Sequence, residues 1–201
     1  MIFVIVPLGK AAKDVLNWLA RVLVYVASSV VGGALVGATA ATVGALVYAL
    51  VPGPDRAWPL LLIGVPALFY GLHEARLLRL PHPERAWQVP NSWVQRRPMG
   101  GTALFGLVLG SGLFTYIPYA GFYVLLAWEA ATGNIMLGGL LGATYGLARG
   151  LPVIIGGVLI LAGGHPLDLN LRLIDAMSAW HRAGSGVLVG LGAFLLAMWA
   201  L

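Results

Sequence analysis

The chain has 201 residues, of which 60% are hydrophobic and 9% are charged, and its mean hydropathy is +0.90. An ordinary globular domain carries about 25% charged residues, so a water-soluble fold could not cover this much apolar surface. The net charge of +5 rests on 12 basic residues that flank apolar segments, which indicates a membrane face rather than a nucleic-acid partner. The lack of cysteine excludes disulfides, thiolate metal sites and thiol nucleophiles.

The N-terminal part of the chain is amphipathic. Residues 9–20 carry Lys10, Lys13 and Asp14 on one side and apolar residues, including Trp18, on the other. This pattern predicts an interfacial helix within residues 1–21, leading into the first span. The apolar residues 1–7 are too short for the core of a signal peptide, so we expect no cleaved signal.

Five apolar runs have lengths near the roughly 20 residues that a spanning helix needs. They are Val22 to Val51, Trp58 to Leu72, Thr102 to Trp128, Ile135 to Gly163 and Gly184 to Leu201. The sequence therefore predicts an all-α, polytopic transmembrane helical bundle of about five spans. At this length, one transmembrane domain over residues 1–201 is expected.

Two of these runs are too long for a simple span. The first would reach about 45 Å as an unbroken helix, against about 30 Å of hydrocarbon. Glycine and proline loosen helices inside membranes, so we expect two broken helices. The candidate break positions are Gly32, Gly33, Gly37 and Gly44 in the first run and Gly110, Gly112 and Pro118 in the third. The alternative is that these glycines only permit close helix packing.

The distribution of basic residues predicts the orientation. The loop over residues 76–101 contains a basic cluster: Arg76, Arg79, Arg85, Arg96 and Arg97. Lysine and arginine are retained on the cytoplasmic side, so this loop and the N-terminus are expected to be cytoplasmic. The sequence thus predicts an integral protein of the bacterial cytoplasmic membrane. Within this loop, Trp87 and Trp93 beside arginines indicate either anchoring to anionic lipid or docking of a partner.

A weak internal repeat suggests two related halves. The triplet Tyr-Gly-Leu occurs at residues 70–72 and again at residues 145–147, and an arginine follows each copy, at Arg76 and Arg149. Each copy ends a Gly-rich region. The pattern predicts a parallel pseudo-repeat with two halves, although a three-residue match also arises by chance.

Residues able to carry chemistry are few. Glu129 and Arg149 fall near the ends of their runs, where the charged groups are expected to reach water. His73 and Glu74 end the second run, and we expect them to pair with the basic loop or with lipid head groups. The other histidines do not have metal-ligand spacing, and no nucleophile or phosphate-binding motif occurs. The sequence predicts no enzyme activity, no metal and no cofactor.

The segment from Phe105 to Gly157 resembles the second half of the CcdA and DsbD transmembrane family. The similarity consists of a Gly-rich broken span with a threonine and a proline at its centre, a short turn, and a span that ends in Tyr-Gly-Leu-x-Arg-x-Leu-Pro. In that family the broken spans hold two cysteines that carry reducing equivalents across the membrane. Thr115, Tyr116 and Pro118 occupy the matching place here. The resemblance implies the scaffold without the thiol chemistry.

Two functional hypotheses follow. The first is a carrier of a small, weakly polar solute, which binds in a cavity between the two overlong runs. Its substrate-binding residues would be Gly32, Gly33, Gly37, Gly110, Gly112, Thr115, Tyr116 and Pro118. The second is a non-catalytic membrane subunit or scaffold that binds another membrane protein. The expected partners are membrane lipid and either a second membrane protein or further copies of the chain, with no nucleic acid.

Overall fold

A computed structural model of the protein describes residues 15–50, 58–80, 92–93, 98–113, 119–162 and 166–201. Within these ranges the chain forms six α-helices of a turn or more in length and no β-strand, which confirms the all-α prediction. The helices are α1 (Val15–Leu50), α2 (Trp58–Glu74), α3 (Pro98–Ser111), α4 (Gly121–Thr132), α5 (Ile135–Leu161) and α6 (Pro166–Ala200). The lysines predicted for the N-terminal interfacial helix lie outside the described residues.

Three of the described helices are long and apolar enough to cross a membrane, whereas the sequence predicted five spans. These three segments are Val15–Leu50, Ile135–Leu159 and Ala179–Ala200. Helix α2 has 17 residues, and the third apolar run is divided into α3 and α4, with 14 and 12 residues. The shorter helices are apolar, but about 20 residues are needed to span the hydrocarbon region as a straight helix.

Helix α1 is continuous over 36 residues, so the predicted break in the first run is wrong. Glycine inside a helix costs about 1 kcal/mol relative to alanine, but favourable packing of that helix can offset this cost. The predicted break in the third run is confirmed at Gly112, which follows the end of α3 with a φ of 72°. Only glycine adopts this left-handed conformation without steric cost.

Chain packing divides the protein into two compact units, to both of which α1, α5 and α6 contribute. The first unit includes α1 as far as Val36, helix α3 and α5 from Gly142 onward. Its buried core brings together the side chains of Trp18, Val22, Tyr25, Phe105, Leu109 and Val153. The Ser29 hydroxyl donates a hydrogen bond to the Gly106 carbonyl oxygen at 3.0 Å, which ties α1 to α3.

The second unit includes α1 from Gly37, helices α2 and α4, α5 as far as Leu141, and α6 from Ile174. Helices α2 and α4 pack together, with the rings of Tyr70 and Tyr123 stacked at a centroid distance of 5.2 Å. A Cβ atom at Gly71 would lie 2.7 Å from the backbone nitrogen of Val189. Helix α2 therefore approaches α6 closely at a position where a side chain would not fit.

Large apolar side chains cover much of the outer surface of the described helices. Leu16, Leu50 and Met136 are 82%, 79% and 87% exposed. In α6, Val187 and Phe194 are also mostly exposed. A lipid environment removes this apolar surface from water, so these side chains and the three long helices are consistent with membrane association.

Candidate functional site

A small polar cluster, here called the Glu74 cluster, consists of Glu74, Tyr119, Ala120 and His181. Glu74 is the last residue of α2, His181 lies on α6, and Tyr119 and Ala120 immediately precede α4. Glu74 Oε2 lies 2.6 Å from His181 Nδ1, and Glu74 Oε1 accepts a hydrogen bond from the Ala120 backbone N–H at 2.6 Å. The carboxylate therefore joins three segments that are distant in sequence.

The cluster is partly protected from solvent. The Glu74 side chain is 8% exposed and the His181 side chain is 32% exposed. The Tyr119 ring covers the imidazole, with centroids 4.5 Å apart and ring planes inclined at 30°. The imidazole is therefore the more accessible of the two groups.

A tight turn after α2 positions the end of this helix. Arg76 has a φ of 61°, and its backbone N–H donates to the His73 carbonyl oxygen at 2.9 Å. The Leu80 backbone N–H donates to His73 Nδ1 at 3.1 Å. The backbone thus pairs the His73 carbonyl oxygen at the helix end, and the His73 side chain accepts the N–H of a residue beyond the helix, which is a structural use of the side chain.

The geometry limits the chemistry that the Glu74 cluster can perform. A carboxylate bound to one ring nitrogen fixes the orientation of an imidazole and leaves Nε2 as the nitrogen for an external ligand or proton. Among the residues that the structure describes, no group of three or more His, Asp or Glu side chains could hold a metal ion. The contact between carboxylate and imidazole is suited to hydrogen bonding with a partner.

The glycines predicted to bind a solute lie where helix backbones approach closely. A Cβ atom would lie 2.2 Å from the Leu107 carbonyl oxygen at Gly32 and 2.1 Å from the Gly142 carbonyl oxygen at Gly33. The corresponding contacts are with the Gly138 carbonyl oxygen at Gly37 and the Ser29 carbonyl oxygen at Gly110, each at 2.1 Å. Gly112 follows the end of α3, and Thr115, Tyr116 and Pro118 lie outside the described residues. Solute binding by these residues stays a prediction.

Two charged residues differ in environment. Arg149 donates a hydrogen bond from Nη1 to the Tyr145 hydroxyl at 2.9 Å and is half-buried. Glu129 was expected to reach water, but only 1% of its surface is exposed, so this prediction is wrong. The short helix α4 turns this residue toward α1 instead of toward the end of a long span.

Sequence reasoning missed His181 as a member of the site. The fourth and fifth apolar runs were predicted to end at Gly163 and to begin at Gly184, so His181 fell between two spans. The structure extends α6 back to Pro166, and this places His181 beside a glutamate 107 positions earlier. No residue spacing in the sequence indicates that two side chains so far apart along the chain form a pair.

Comparison with known proteins identifies similar chains. The protein is 34% identical to the methylamine utilization protein MauF of Paracoccus versutus and 32% identical to that of Paracoccus denitrificans. It is 30% identical to MauF of Methylorubrum extorquens. Each similarity covers 73% of this chain and between 51% and 53% of the relative, so the chain spans about half the length of the curated relatives it matches. No family model matches, and no solved structure matches.

These findings correct two predictions. The relatives are named as methylamine utilization proteins, so the assignment to the CcdA and DsbD family is wrong. The carrier prediction, which rested on that resemblance and on the glycine positions, is overturned by the same names. Glycine-rich apolar segments with a proline recur wherever membrane helices pack closely, and so they do not distinguish one membrane family from another.

Proposed function

We propose that this protein is a membrane-embedded helical component of methylamine utilization. The similarity to three MauF proteins, at 30–34% identity over 73% of the chain, carries this proposal. Three long apolar helices support its placement in a membrane. The chain spans about half of each relative. A role in methylamine utilization is therefore proposed for this chain from the names of longer proteins.

The component is proposed to be non-enzymatic, with the Glu74 cluster as its functional surface. Glu74 holds His181 by one oxygen and the Ala120 backbone N–H by the other. A fixed imidazole of this kind can bind a hydrogen-bonding group on another molecule, and this binding needs no catalytic residues. The proposed occupants of the apolar outer surface are lipid and either a second membrane protein or another copy of the chain.

A growth experiment tests the proposal. Deletion of the gene from its host is expected to abolish growth with methylamine as the sole nitrogen source and to leave growth on ammonium unchanged. Restoring the wild-type gene should restore growth, and the Glu74→Gln variant should restore it only partly. Equal growth of the deletion strain and its parent on methylamine would refute the assignment.

We further propose that the chain spans the cytoplasmic membrane of a bacterium five times, with its N-terminus in the cytoplasm. We also propose that its two halves are related by a parallel pseudo-repeat. The arginine-rich segment between α2 and α3 supports this orientation. Because the chain has no cysteine, single cysteines can be introduced without background labelling. An Arg96→Cys variant should react with a membrane-impermeant maleimide in inverted vesicles but not in intact cells.

A further inference from the structure

Glu129 is an acidic residue buried in the second unit. It lies on α4, only 1% of its surface is exposed, and it is among the largest fully buried side chains of the described chain. Its backbone carbonyl oxygen accepts a hydrogen bond from the Thr132 hydroxyl at 2.7 Å. The carboxyl group extends toward α1, where a Cβ atom placed on Gly37 would lie 2.9 Å from Oε1.

The Gly37 position that this carboxyl group borders is surrounded by backbone and small residues. The same Cβ position on Gly37 would lie 2.1 Å from the Gly138 carbonyl oxygen of α5. A Cβ atom on Gly138 would in turn lie 2.5 Å from the side chain of Ala41. The carboxyl group and a backbone carbonyl oxygen therefore both border Gly37, and both are hydrogen-bond acceptors when the acid is ionised.

Within the described residues, the segments of α1, α4 and α5 around Glu129 supply no cation, and His73 of α2, which also packs against α4, accepts the Leu80 N–H. From residue 37 onward, the only titratable side chain of α1 is Tyr48, whose hydroxyl donates to the Ala131 carbonyl oxygen at 2.9 Å. Residues 135–141 of α5 have none, and the other titratable residue of α4, Tyr123, stacks on Tyr70 of α2. Among the described residues of these segments, no lysine, arginine or histidine faces Glu129.

An ionised carboxylate in such a place costs far more free energy than a neutral acid, because burial removes its hydration and no cation of these described segments compensates for it. A neutral carboxyl group also provides an O–H donor, whereas an ionised carboxylate offers only acceptors. We propose that Glu129 is a proton-binding site, at which a neutral carboxylic acid is packed among α1, α4 and α5. Loss of the proton would weaken the packing of α4 against its neighbours.

Infrared spectroscopy of the full chain in lipid nanodiscs tests this directly. At neutral pH, the difference spectrum between wild type and Glu129→Gln should contain the C=O stretching band of a protonated carboxyl group. The matched variant Glu74→Gln should leave that band in place. Loss of carboxylate bands on substitution of Glu129 would overturn the proposal. Labelling the three glutamates of the wild-type protein with ¹³C should shift this band, which assigns it to a glutamate without any substitution.

Thermal stability supplies a second readout. The native state would retain a proton that the unfolded chain releases, so the stability of the wild type should fall relative to Glu129→Gln as the pH is raised. The glutamine variant is neutral at every pH and keeps the shape of the side chain. Parallel pH profiles for the two proteins would contradict a proton site at this position.

Discussion

At Gly33, the hydrogen atom in place of a side chain allows two helix backbones to meet. A Cβ atom there would lie 2.1 Å from the Gly142 carbonyl oxygen and 3.0 Å from the Gly146 backbone nitrogen. Backbone atoms cannot move aside as the end of a flexible side chain can. Close approach of this kind maximises van der Waals contact, which drives association of helices in lipid.

A pair of alanine substitutions tests this use of glycine. Gly33→Ala should destabilise the protein by about 1–3 kcal/mol, the usual cost of overpacking a well-packed interior. The control is Gly190→Ala in α6, where a Cβ atom would meet nothing within 4 Å. The control should be neutral or gain up to about 1 kcal/mol from helix propensity. Thermal unfolding in detergent measures both, and equal stabilities of the two variants would contradict the observed packing.

The Glu74 cluster gives a second prediction at this scale. Glu74→Ala removes the acceptor for the Ala120 N–H and the partner of His181, and should cost about 1.5–3 kcal/mol, as expected for hydrogen bonds to a charged group. Glu74→Gln keeps an oxygen in place and should cost less. The free energy of unfolding of each variant, measured at one pH, distinguishes the two effects. If both substitutions were equally costly, the charge rather than the Ala120 contact would explain the stability.

At the scale of the elements, glycine also ends a helix, as the end of α3 shows. Gly112 has a φ of 72°, and its backbone N–H donates to the Leu109 carbonyl oxygen at 3.2 Å. A residue with a Cβ atom is strained by about 1–2 kcal/mol in this conformation. The chain is thereby directed out of α3 before α4 begins at Gly121.

Gly112→Ala should therefore destabilise the protein by about 1–2 kcal/mol. Gly121→Ala, at the first residue of α4, serves as its control, because a Cβ atom there would have nothing within 4 Å. The measurement is again the midpoint of thermal unfolding in detergent. A Gly112→Ala protein as stable as the control would show that the backbone at this position adapts without strain.

The sequence predicted best those helices that hydropathy marks clearly. The fourth run, predicted from Ile135 to Gly163, matches α5 almost to its ends, since apolar residues fill it. Gly112 was correctly identified as a break position. Glycines in α1 were misread, because glycine weakens a helix in isolation but also lets it pack closely, and the sequence does not show which neighbour is present. The start of α6 was missed because the charged residues there are typical of a loop.

For the molecule as a whole, the exposed apolar surface predicts how the protein behaves in a cell extract. Leu16, Leu50 and Met136 expose most of their surface, and α1, α5 and α6 are long enough to span a bilayer. The protein should sediment with membranes, resist extraction by alkaline carbonate and dissolve only in detergent. Recovery of monodisperse protein in plain buffer would refute a membrane location.

The candidate site was less predictable than the fold. Glu74 was noted from its place at the end of an apolar run, but its partner His181 is separated by 107 positions and no pattern connects them. The environment of Glu129 was misjudged for a similar reason. The sequence places it at the end of a run, whereas its burial depends on Gly37 leaving room for a carboxyl group.

The length of α1 makes bilayer thickness matter to this protein. At 1.5 Å per residue, its 36 residues extend about 54 Å, and even a tilt of about 40° leaves roughly 41 Å along the membrane normal. One end of the helix must therefore rise into the head-group layer, or the surrounding lipids must stretch to cover it. Hydrophobic mismatch of this kind would favour thicker, longer-chain bilayers, so the acyl composition of the host membrane would tune how this helix sits.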